Sequence, residues 1–383
     1  MVQQSIFSKS GVLRQAISRC LGQSRFLLII MFLFPFKGIS QLSFSGFEHL
    51  FTTPKGYIVP YTAQPPKIDG SLADEAWQAA PWTDTFVDIE GVKKPRPQYS
   101  TRVKMLWSDS SLFIAAQMEE PHVWATLKQH DAIVYHDNDF EVFIDPDSDT
   151  HQYFEFEVNA YNTILDLFMP KPYRNGAQAM LSYNAPGLQS AIKVQGTLNN
   201  PSDKDTGWTV EMAIPFSAIY LGNYWRAPRE GALWRINFSR VQWDTDVVDG
   251  KYIKRKDAAG KPLPEYNWVW SPQGVINMHY PERWGFLQFT KSGTSNVAFT
   301  MPEEEARKQY LWLVYYRQKA YFSKWGKFAA SLKDLDIATA SLPVKGKTNV
   351  LKMEATSRQF TVYLTDNRST FSINNDGLIQ AVK

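Results

Sequence analysis

Cysteine is almost absent from this 383-residue chain, whose single thiol is Cys20, close to the N-terminus. Cys20 precedes the apolar run of residues 26–36, so it is not the lipid-modified cysteine that would follow such a run. A mature chain beginning after this run has no thiol and no disulfide. Cysteine nucleophiles and cysteine metal ligands are therefore excluded, and the fold must depend on a large core.

Common catalytic and nucleotide-binding patterns are also missing. The chain has no glycine-rich phosphate loop, no His-Glu-x-x-His zinc helix and no Gly-x-Ser-x-Gly nucleophile turn. Its six histidines are scattered, and none has a partner at helical ligand spacing. Carboxylates therefore remain as the main chemical candidates.

Acidic residues are absent from the first 47 positions, which carry five cations: Lys9, Arg14, Arg19, Arg25 and Lys37. The eleven apolar residues 26–36 are followed by small residues at Gly38 and Ser40. This pattern predicts a secretory signal peptide over residues 1–40, and hence a periplasmic, cell-surface or secreted protein. The alternative is a permanent membrane span, which needs about 20 apolar residues.

The charge of the exported chain is nearly balanced. Without the five leader cations, 36 of the 41 Lys and Arg remain against 38 Asp and Glu. No basic stripe or cationic amphipathic helix is present in the remainder. We therefore expect no nucleic-acid partner and no stable membrane span after cleavage.

Residues 57–290 consist of short β-rich runs separated by turn residues, which predicts an all-β fold, an antiparallel β-sandwich. Hairpins are expected from 101–107 with 112–118, and from the runs "DFEVFID" and "QYFEFEVNA". A short helix is expected in 71–80, capped by Ser71. Residues 244–266 are predicted to be a long surface loop. Four tryptophans are expected in the core: Trp77, Trp107, Trp208 and Trp234.

The C-terminal part has a different pattern. We interpret 41–56 as an N-terminal extension, 291–299 as a linker and 300–383 as a small α+β appendage. A helix is expected to begin at a capping box of Thr300 and Glu303 and to end at Gly326. Residues 360–373 predict a hairpin. The expected role of this region is packing or contact with a protein partner.

The acidic stretch "HDNDFEVFIDPD", residues 136–147, is the main chemical candidate. In a strand, alternate residues share a face, so Phe140 and Val142 would face the core and Glu141 the opposite side. Pairing with the next strand places Glu141 opposite Glu155 or Glu157.

Opposed carboxylates are destabilising, so we expect a compensating cation, a proton, ligand hydroxyls or the guanidinium of Arg240. The alternative is that these acidic side chains extend into solvent without a ligand.

Two kinds of ligand follow from these residue types. Aromatic rings beside carboxylates are typical of sugar sites, and Trp243, Trp268 and His279 are expected to be exposed near strand ends. Three alternating carboxylates of the intervening turn could hold Ca²⁺: Asp145, Asp147 and Asp149. Glycoside hydrolysis is an alternative, but neighbours on one strand approach a sugar from the same side.

Six stretches in order resemble the family 9 carbohydrate-binding module-like (CBM9-like, DOMON-like) domains over residues 57–290: "IDGSLADEAW", "VKMLWSDSSLFIAAQM", "DNDFEVFIDPD", "FEFEVNAYNTILD", "GWTVEMAIPF" and "WRINFSR". The resemblance implies an antiparallel sandwich, frequently calcium-bearing, that holds sugars between two tryptophans with help from charged side chains. The family's sugar-binding glutamate falls on Glu141, and one clamp tryptophan falls on Tyr135. Its sugar-binding arginine falls on Glu157, and the second clamp tryptophan near Met278 or His279.

The sequence therefore predicts a non-catalytic carbohydrate-binding module that supports polysaccharide capture or breakdown, and the departure at Glu157 means that the family's usual ligand does not carry over to it. Its predicted site residues are Tyr135, Glu141, Glu155, Glu157, Asn159, Arg240, Trp243, Trp268 and His279. The alternatives are a glycoside hydrolase and a structural or assembly protein of the cell envelope. Haem held by Met278 or His279 is a further alternative.

Overall fold

The structure is a computed structural model that describes residues 43–220, 227–291 and 298–382. Residues 41–383 form one compact unit. The predicted signal peptide, 1–40, lies outside the described residues, as does most of the predicted linker. Within the described ranges, no helix has the length and apolar character needed to span a membrane.

The described residues contain one α-helix, α1, Glu303–Trp325, and nineteen strands. The strands are β1 Gly56–Pro60, β2 Val87–Asp88, β3 Thr101–Trp107, β4 Ser111–Glu119, β5 Asp139–Asp145, β6 Tyr153–Asn159, β7 Ile164–Met169, β8 Gln189–Gln195, β9 Gly207–Pro215, β10 Leu233–Gln242, β11 Thr245–Val248, β12 Lys251–Lys254, β13 Tyr266–Val269, β14 Gly285–Thr290, β15 Ser341–Val344, β16 Lys347–Ala355, β17 Phe360–Thr365, β18 Thr370–Asn374 and β19 Ile379–Val382. Short 3-10 helices cover Glu48–Leu50, Glu75–Ala79, Val134–His136, Tyr173–Asn175, Pro281–Arg283 and Lys333–Leu335.

Two sheets form the sandwich. The larger has the order β1-β14-β10-β5-β6-β7, with β13 paired to β10 and β2 to β13. The smaller has the order β3-β4-β9-β8. One continuous apolar core, including Met105 of the smaller sheet and Phe156 of the larger, lies between them. The predicted all-β sandwich with a small C-terminal α+β region is confirmed, with β1 and β14 as a parallel pair within it.

The four tryptophans predicted to be in the core are buried. The indole Nε1 of Trp77 donates to Glu211 Oε1 at 2.7 Å, and that of Trp107 donates to the Thr290 carbonyl at 3.0 Å. The rings of Trp77 and Trp107 therefore contribute their large apolar area while their one polar group stays paired.

Three local predictions are corrected. The segment 71–80 forms only a 3-10 turn, whose Ala76 N–H is capped by Asp74, not by Ser71. The segment 244–266 contains the antiparallel hairpin β11–β12 rather than a continuous loop. The capping box does not form, because Pro302 is the N-cap without a side-chain bond, and Glu303 pairs with Lys347 instead.

The C-terminal region packs α1 against the five-stranded antiparallel sheet β15-β16-β17-β18-β19. The helix ends at Gly326, whose φ of +67° is a left-handed conformation that glycine adopts without strain. A buried ion pair joins this region to the sandwich, with Arg235 Nη2 of β10 2.8 Å from Glu305 Oε2 of α1.

Candidate functional site

The hairpin β5–β6 brings the acidic residues together. Glu141 lies directly opposite Glu157, as one of the two predicted registers requires, and Ser239 of β10 lies on the other side of Glu141. Every residue of both strands is buried. One face is covered by the sandwich core, and the other by a second apolar cluster that includes Phe143 and Trp284.

A cleft of about 590 Å³ opens on this second face. Its floor contains Glu141, Glu155 and Glu157, here called the floor carboxylates. Their residues are only 5%, 4% and 4% exposed, so the predicted alternative of acidic side chains extending into solvent is wrong. Two lining tyrosines are far more accessible, Tyr135 at 38% and Tyr173 at 42%.

Burial and mutual repulsion dominate the electrostatics of the floor. Burial, followed by the charge of neighbouring carboxylates, raises the pKa of Glu141 and of Glu155 well above the ordinary value. Burial raises the pKa of Glu157 to about 7, although its Oε2 accepts the Tyr135 backbone N–H at 3.0 Å. Near neutral pH the floor therefore holds protons and offers hydroxyl donors as well as oxygen acceptors.

Arg240 does not compensate this charge, which corrects the sequence-based assignment. It shares its strand face with Phe238, and that face points into the sandwich core. Its guanidinium lies 2.9 Å from Glu120 Oε2 and donates to the Glu119 carbonyl and the Gln242 side chain. The side chain is fully engaged on the side of the sheet opposite to the cleft.

The two tryptophans expected to be exposed are buried. Trp268 is 3% exposed and belongs to the sandwich core. Trp243 is 9% exposed, with Lys254 Nζ 3.3 Å above its ring centre. Its indole Nε1 donates to the Tyr135 carbonyl at 2.8 Å, so this hydrogen bond helps to fix the backbone of the exposed tyrosine.

Asn159 is likewise not in the cleft. It is completely buried, and its amide Nδ2 donates to the Leu127 carbonyl at 2.8 Å and to Asp137 Oδ2 at 3.0 Å. Its Oδ1 accepts the backbone N–H groups of Tyr161 and Thr163. Asn159 therefore fixes two loops and has no polar group directed at a ligand.

His279 lines the cleft, but its side chain is only 17% exposed, so the expectation that it would be exposed is wrong. Burial, followed by the positive charge of Arg174, lowers the pKa of His279 to about 3, so the ring is neutral. Tyr153 OH lies 2.9 Å from Nδ1, and Nε2 lies 3.8 Å from Glu155 Oε2. The Tyr153 hydroxyl and Nδ1 of the neutral ring share one hydrogen bond, and Nε2 is the ring nitrogen nearer to Glu155.

Several lining residues were not predicted, among them Tyr173, Glu265 and Asn267. Tyr173 begins a 3-10 turn after β7, and its ring centre lies 4.5 Å from that of His279. The proline-flanked sequence "PKPYRNG" indicates a turn with an aromatic residue, but not where that turn lies. Glu265 and Asn267 are placed there by the pairing of β13 with β10.

The three aspartates of the predicted calcium turn, here called the acidic turn, lie at the far end of β5. Asp145, Asp147 and Asp149 each place a carboxylate oxygen within 4.8 Å of the others. Asp145 is buried and accepts the backbone N–H groups of Ser148 and Thr150. Burial and the charge of Asp147 raise the pKa of Asp149 to about 6. An all-oxygen acidic set of this kind fits Ca²⁺.

Residues 68–270, more than half of the chain, match the family described as carbohydrate family 9 binding domain-like. The chain belongs to this family. The matched segment contains both exposed tyrosines and all three floor carboxylates of this family 9-like chain. No curated protein matches it significantly.

Two solved structures that are similar to this family 9-like chain show a carbohydrate binding module family 9 (CBM9) from Caldicellulosiruptor kristjanssonii. Its complex with cellotriose is 16% identical, covers 65% of this chain and 100% of that one, and has a TM-score of 0.41. Its complex with glucose is 15% identical, with 63% and 98% covered and a TM-score of 0.40. A putative carbohydrate-binding protein from Bacteroides uniformis is 16% identical, with 62% and 100% covered and a TM-score of 0.44.

Proposed function

We propose that the protein is a non-catalytic module that binds carbohydrate in the cleft and thereby supports polysaccharide capture. The observation that carries this proposal is the pair of exposed rings, Tyr135 and Tyr173, lining a cleft whose floor is polar and largely buried. Aromatic faces stack on the apolar faces of sugar rings, and a few placed polar groups bind the hydroxyls. Membership of the family supports the same ligand class.

The charge of the floor narrows the ligand further. The position at which the family resemblance places a sugar-binding arginine is Glu157, and the one nearby histidine of the lining is neutral. Carboxylates repel anionic ligands, whereas protonated and ionised carboxyls together bind hydroxyl groups as donors and acceptors. The preferred ligand is therefore a neutral glycan rather than a uronic acid polymer.

Calorimetric titration of the full chain tests this, with cellotriose and glucose among the first neutral glycans. Tyr173→Ala is expected to weaken binding roughly 3- to 10-fold, the value of one aromatic contact. The matched control is Tyr220→Ala, because Tyr220 is 49% exposed and does not line the cleft. Equal losses in the two variants would contradict the proposed site.

Two other outcomes favour the alternative functions. Release of reducing sugar that disappears in Glu157→Gln would favour glycoside hydrolysis. Failure to bind any glycan of a broad panel would favour a structural or assembly role in the envelope.

We also propose that the acidic turn binds calcium. Its three carboxylates supply hard oxygen ligands, and Asp147, the exposed member, can be changed with little risk to the fold. Asp147→Asn is expected to bind one calcium ion fewer than the wild-type chain in calorimetry.

A further inference from the structure

A second group of carboxylates lies at the opposite end of β5 from the acidic turn. Asp139, Glu141 and Glu157 each place an oxygen within 4.8 Å of the others. Asp139 is fully buried, and Glu141 and Glu157 are 5% and 4% exposed. In the acidic turn, by contrast, Asp147 is exposed to solvent.

Two oxygens of this group lack a hydrogen-bond partner among the described residues, although Asp139 Oδ1 accepts the Val241 N–H and Glu157 Oε2 accepts that of Tyr135. Asp139 Oδ2 and Glu141 Oε2 are buried and accept no hydrogen bond from the described residues, and the same holds for Oε2 of the adjacent Glu155. Buried polar atoms without partners are rare in native proteins, and each one costs free energy. Three of them within one strand pair indicate that a further group completes the site.

The basic side chains of the surrounding segments are engaged elsewhere, Arg174 among them, which pairs with Glu282. Arg240 points to the other side of the sheet and pairs with Glu120. Lys254 lies over the ring of Trp243, and His279 is neutral. In their ionised form these carboxylates are buried charges of one sign, which are strongly unfavourable, and a bound cation supplies the counter-charge in place of the protons.

We propose that Asp139, Glu141 and Glu157 bind a divalent cation of the calcium type at the floor of the cleft. The donor set consists only of carboxylate oxygens, which is the chemistry that Ca²⁺ prefers. Glu141 and Glu157 also line the cleft, so the ion can enter from solvent along the path that a ligand would use. Asp139, which is fully buried and does not line the cleft, supplies the third oxygen.

This site is separate from the acidic turn. Asp139 begins β5 and Asp145 ends it. Six steps along a strand, at about 3.3 Å each, separate the two groups by roughly 20 Å. One ion therefore cannot serve both groups, and each can be removed independently.

An ion at the floor has a direct consequence for sugar binding. Its coordination positions on the cleft side are available to ligand hydroxyls, because Ca²⁺ accepts six to eight oxygens. This part of the inference depends on the proposed glycan binding, whereas the cation site itself does not. The neutral ligand class proposed above has such hydroxyls.

Calcium titration of the full chain by calorimetry, with Tb³⁺ luminescence as a second probe, tests the site. The expected result is two ions per wild-type chain and one in Glu141→Gln. Asp147→Asn is the matched control, which loses the ion of the acidic turn and keeps the ion at the floor. An unchanged stoichiometry and affinity in Glu141→Gln would overturn the proposal, as would a single wild-type ion that only Asp147→Asn removes.

Thermal unfolding shows whether the Glu141→Gln variant is folded and whether it still binds the floor ion. In chelator, Glu141→Gln is expected to melt at about the same temperature as the wild type, since an uncharged amide of similar size replaces a carboxyl that burial keeps protonated. On addition of calcium its melting temperature should rise less than that of the wild type, because one ion no longer binds. Equal calcium-induced shifts in the two proteins would overturn the proposal.

Glycan titrations with calcium and with chelator separate the two hypotheses. Binding at least 10-fold weaker in chelator supports the coupling between the ion and the ligand. If the protein binds the floor ion but its glycan affinity is the same with and without calcium, the coupling is overturned and the glycan function is not. If the floor ion binds but no glycan binds, the cation site is supported and the proposed function is contradicted.

Discussion

At the scale of single residues, burial determines the chemistry of the cleft. Glu141 and Glu157 would be ordinary surface acids on an uncovered strand, but the apolar cluster around Phe143 and Trp284 covers their face. Desolvation disfavours the ionised carboxylate, so their pKa values rise. Burial also keeps the His279 ring uncharged near neutral pH.

The stability of the protein should depend on His279 below pH 6.5. The folded-state pKa of about 3 lies below the ordinary 6.5, so the unfolded chain binds the extra proton first as the pH falls. Stability contributed by neutral His279 is therefore complete above pH 6.5 and is lost toward pH 3. Compared with His279→Gln, the wild type should lose roughly 1 kcal/mol of unfolding free energy per pH unit within this window.

Denaturant unfolding of both proteins at pH 4.5, 5.5 and 6.5 measures this difference. Subtracting the two curves removes effects common to both proteins. The groups facing the ring are Tyr153 and Glu155 of β6 and Tyr173 and Arg174 of the neighbouring turn. Parallel stability curves for the two proteins would contradict a histidine that is neutral because it is buried.

At the scale of elements, strand alternation decides which side chains can meet. In β10 the even-numbered residues 234–240 face the core, while Ser239 lies beside Glu141 on the cleft side. Arg240 therefore cannot reach the floor, although its strand is adjacent to β5. The buried pair of Arg240 with Glu120 instead ties β10 to the segment that follows β4.

Replacing Arg240 should affect stability and not ligand binding. Arg240→Ala leaves Glu120 buried without its partner, which is expected to cost about 3 kcal/mol of unfolding free energy. Arg96→Ala is the control, because Arg96 is exposed and should change stability by less than about 0.5 kcal/mol. The glycan affinity of the folded Arg240→Ala protein should equal that of the wild type. A specific loss of affinity would show that Arg240 contributes to ligand binding.

At the scale of the whole molecule, buried polar contacts connect the sandwich to the C-terminal region. Both carboxylate oxygens of Glu282 accept from Arg174 Nη2, at 2.9 and 2.8 Å, and Tyr316 of α1 donates to the same carboxylate. Arg235 and Glu305 form a second connection. We therefore expect the C-terminal region to unfold together with the adjacent part of the sandwich.

Glu282→Gln tests this coupling. It breaks a largely buried ion pair, and the expected loss is about 3 kcal/mol of unfolding free energy. Hydrogen exchange should become faster both in α1 and in the segment Pro281–Arg283. The control Glu304→Gln changes an exposed residue of α1 and should leave exchange unaltered. Faster exchange confined to α1 would show that the C-terminal region opens independently.

The sequence by itself determined the sandwich, the α+β appendage and the opposition of Glu141 to a glutamate of the next strand. These features follow from local periodicity, because alternation along a strand fixes both its buried face and the parity of its register. The sequence likewise named Tyr135 and His279, which line the cleft, as candidate site residues, and it predicted four of the tryptophans that are buried in the core.

Only the tertiary structure decided the rest of the cleft. Tyr173, Glu265 and Asn267 come from segments far apart in the chain, and their convergence depends on long-range strand pairing that no local pattern encodes. Burial of Trp243, Trp268 and Asn159 depends likewise on what packs over them. Whether a floor carboxylate has a hydrogen-bond partner also depends on the tertiary structure, because it depends on which residues lie near it in space.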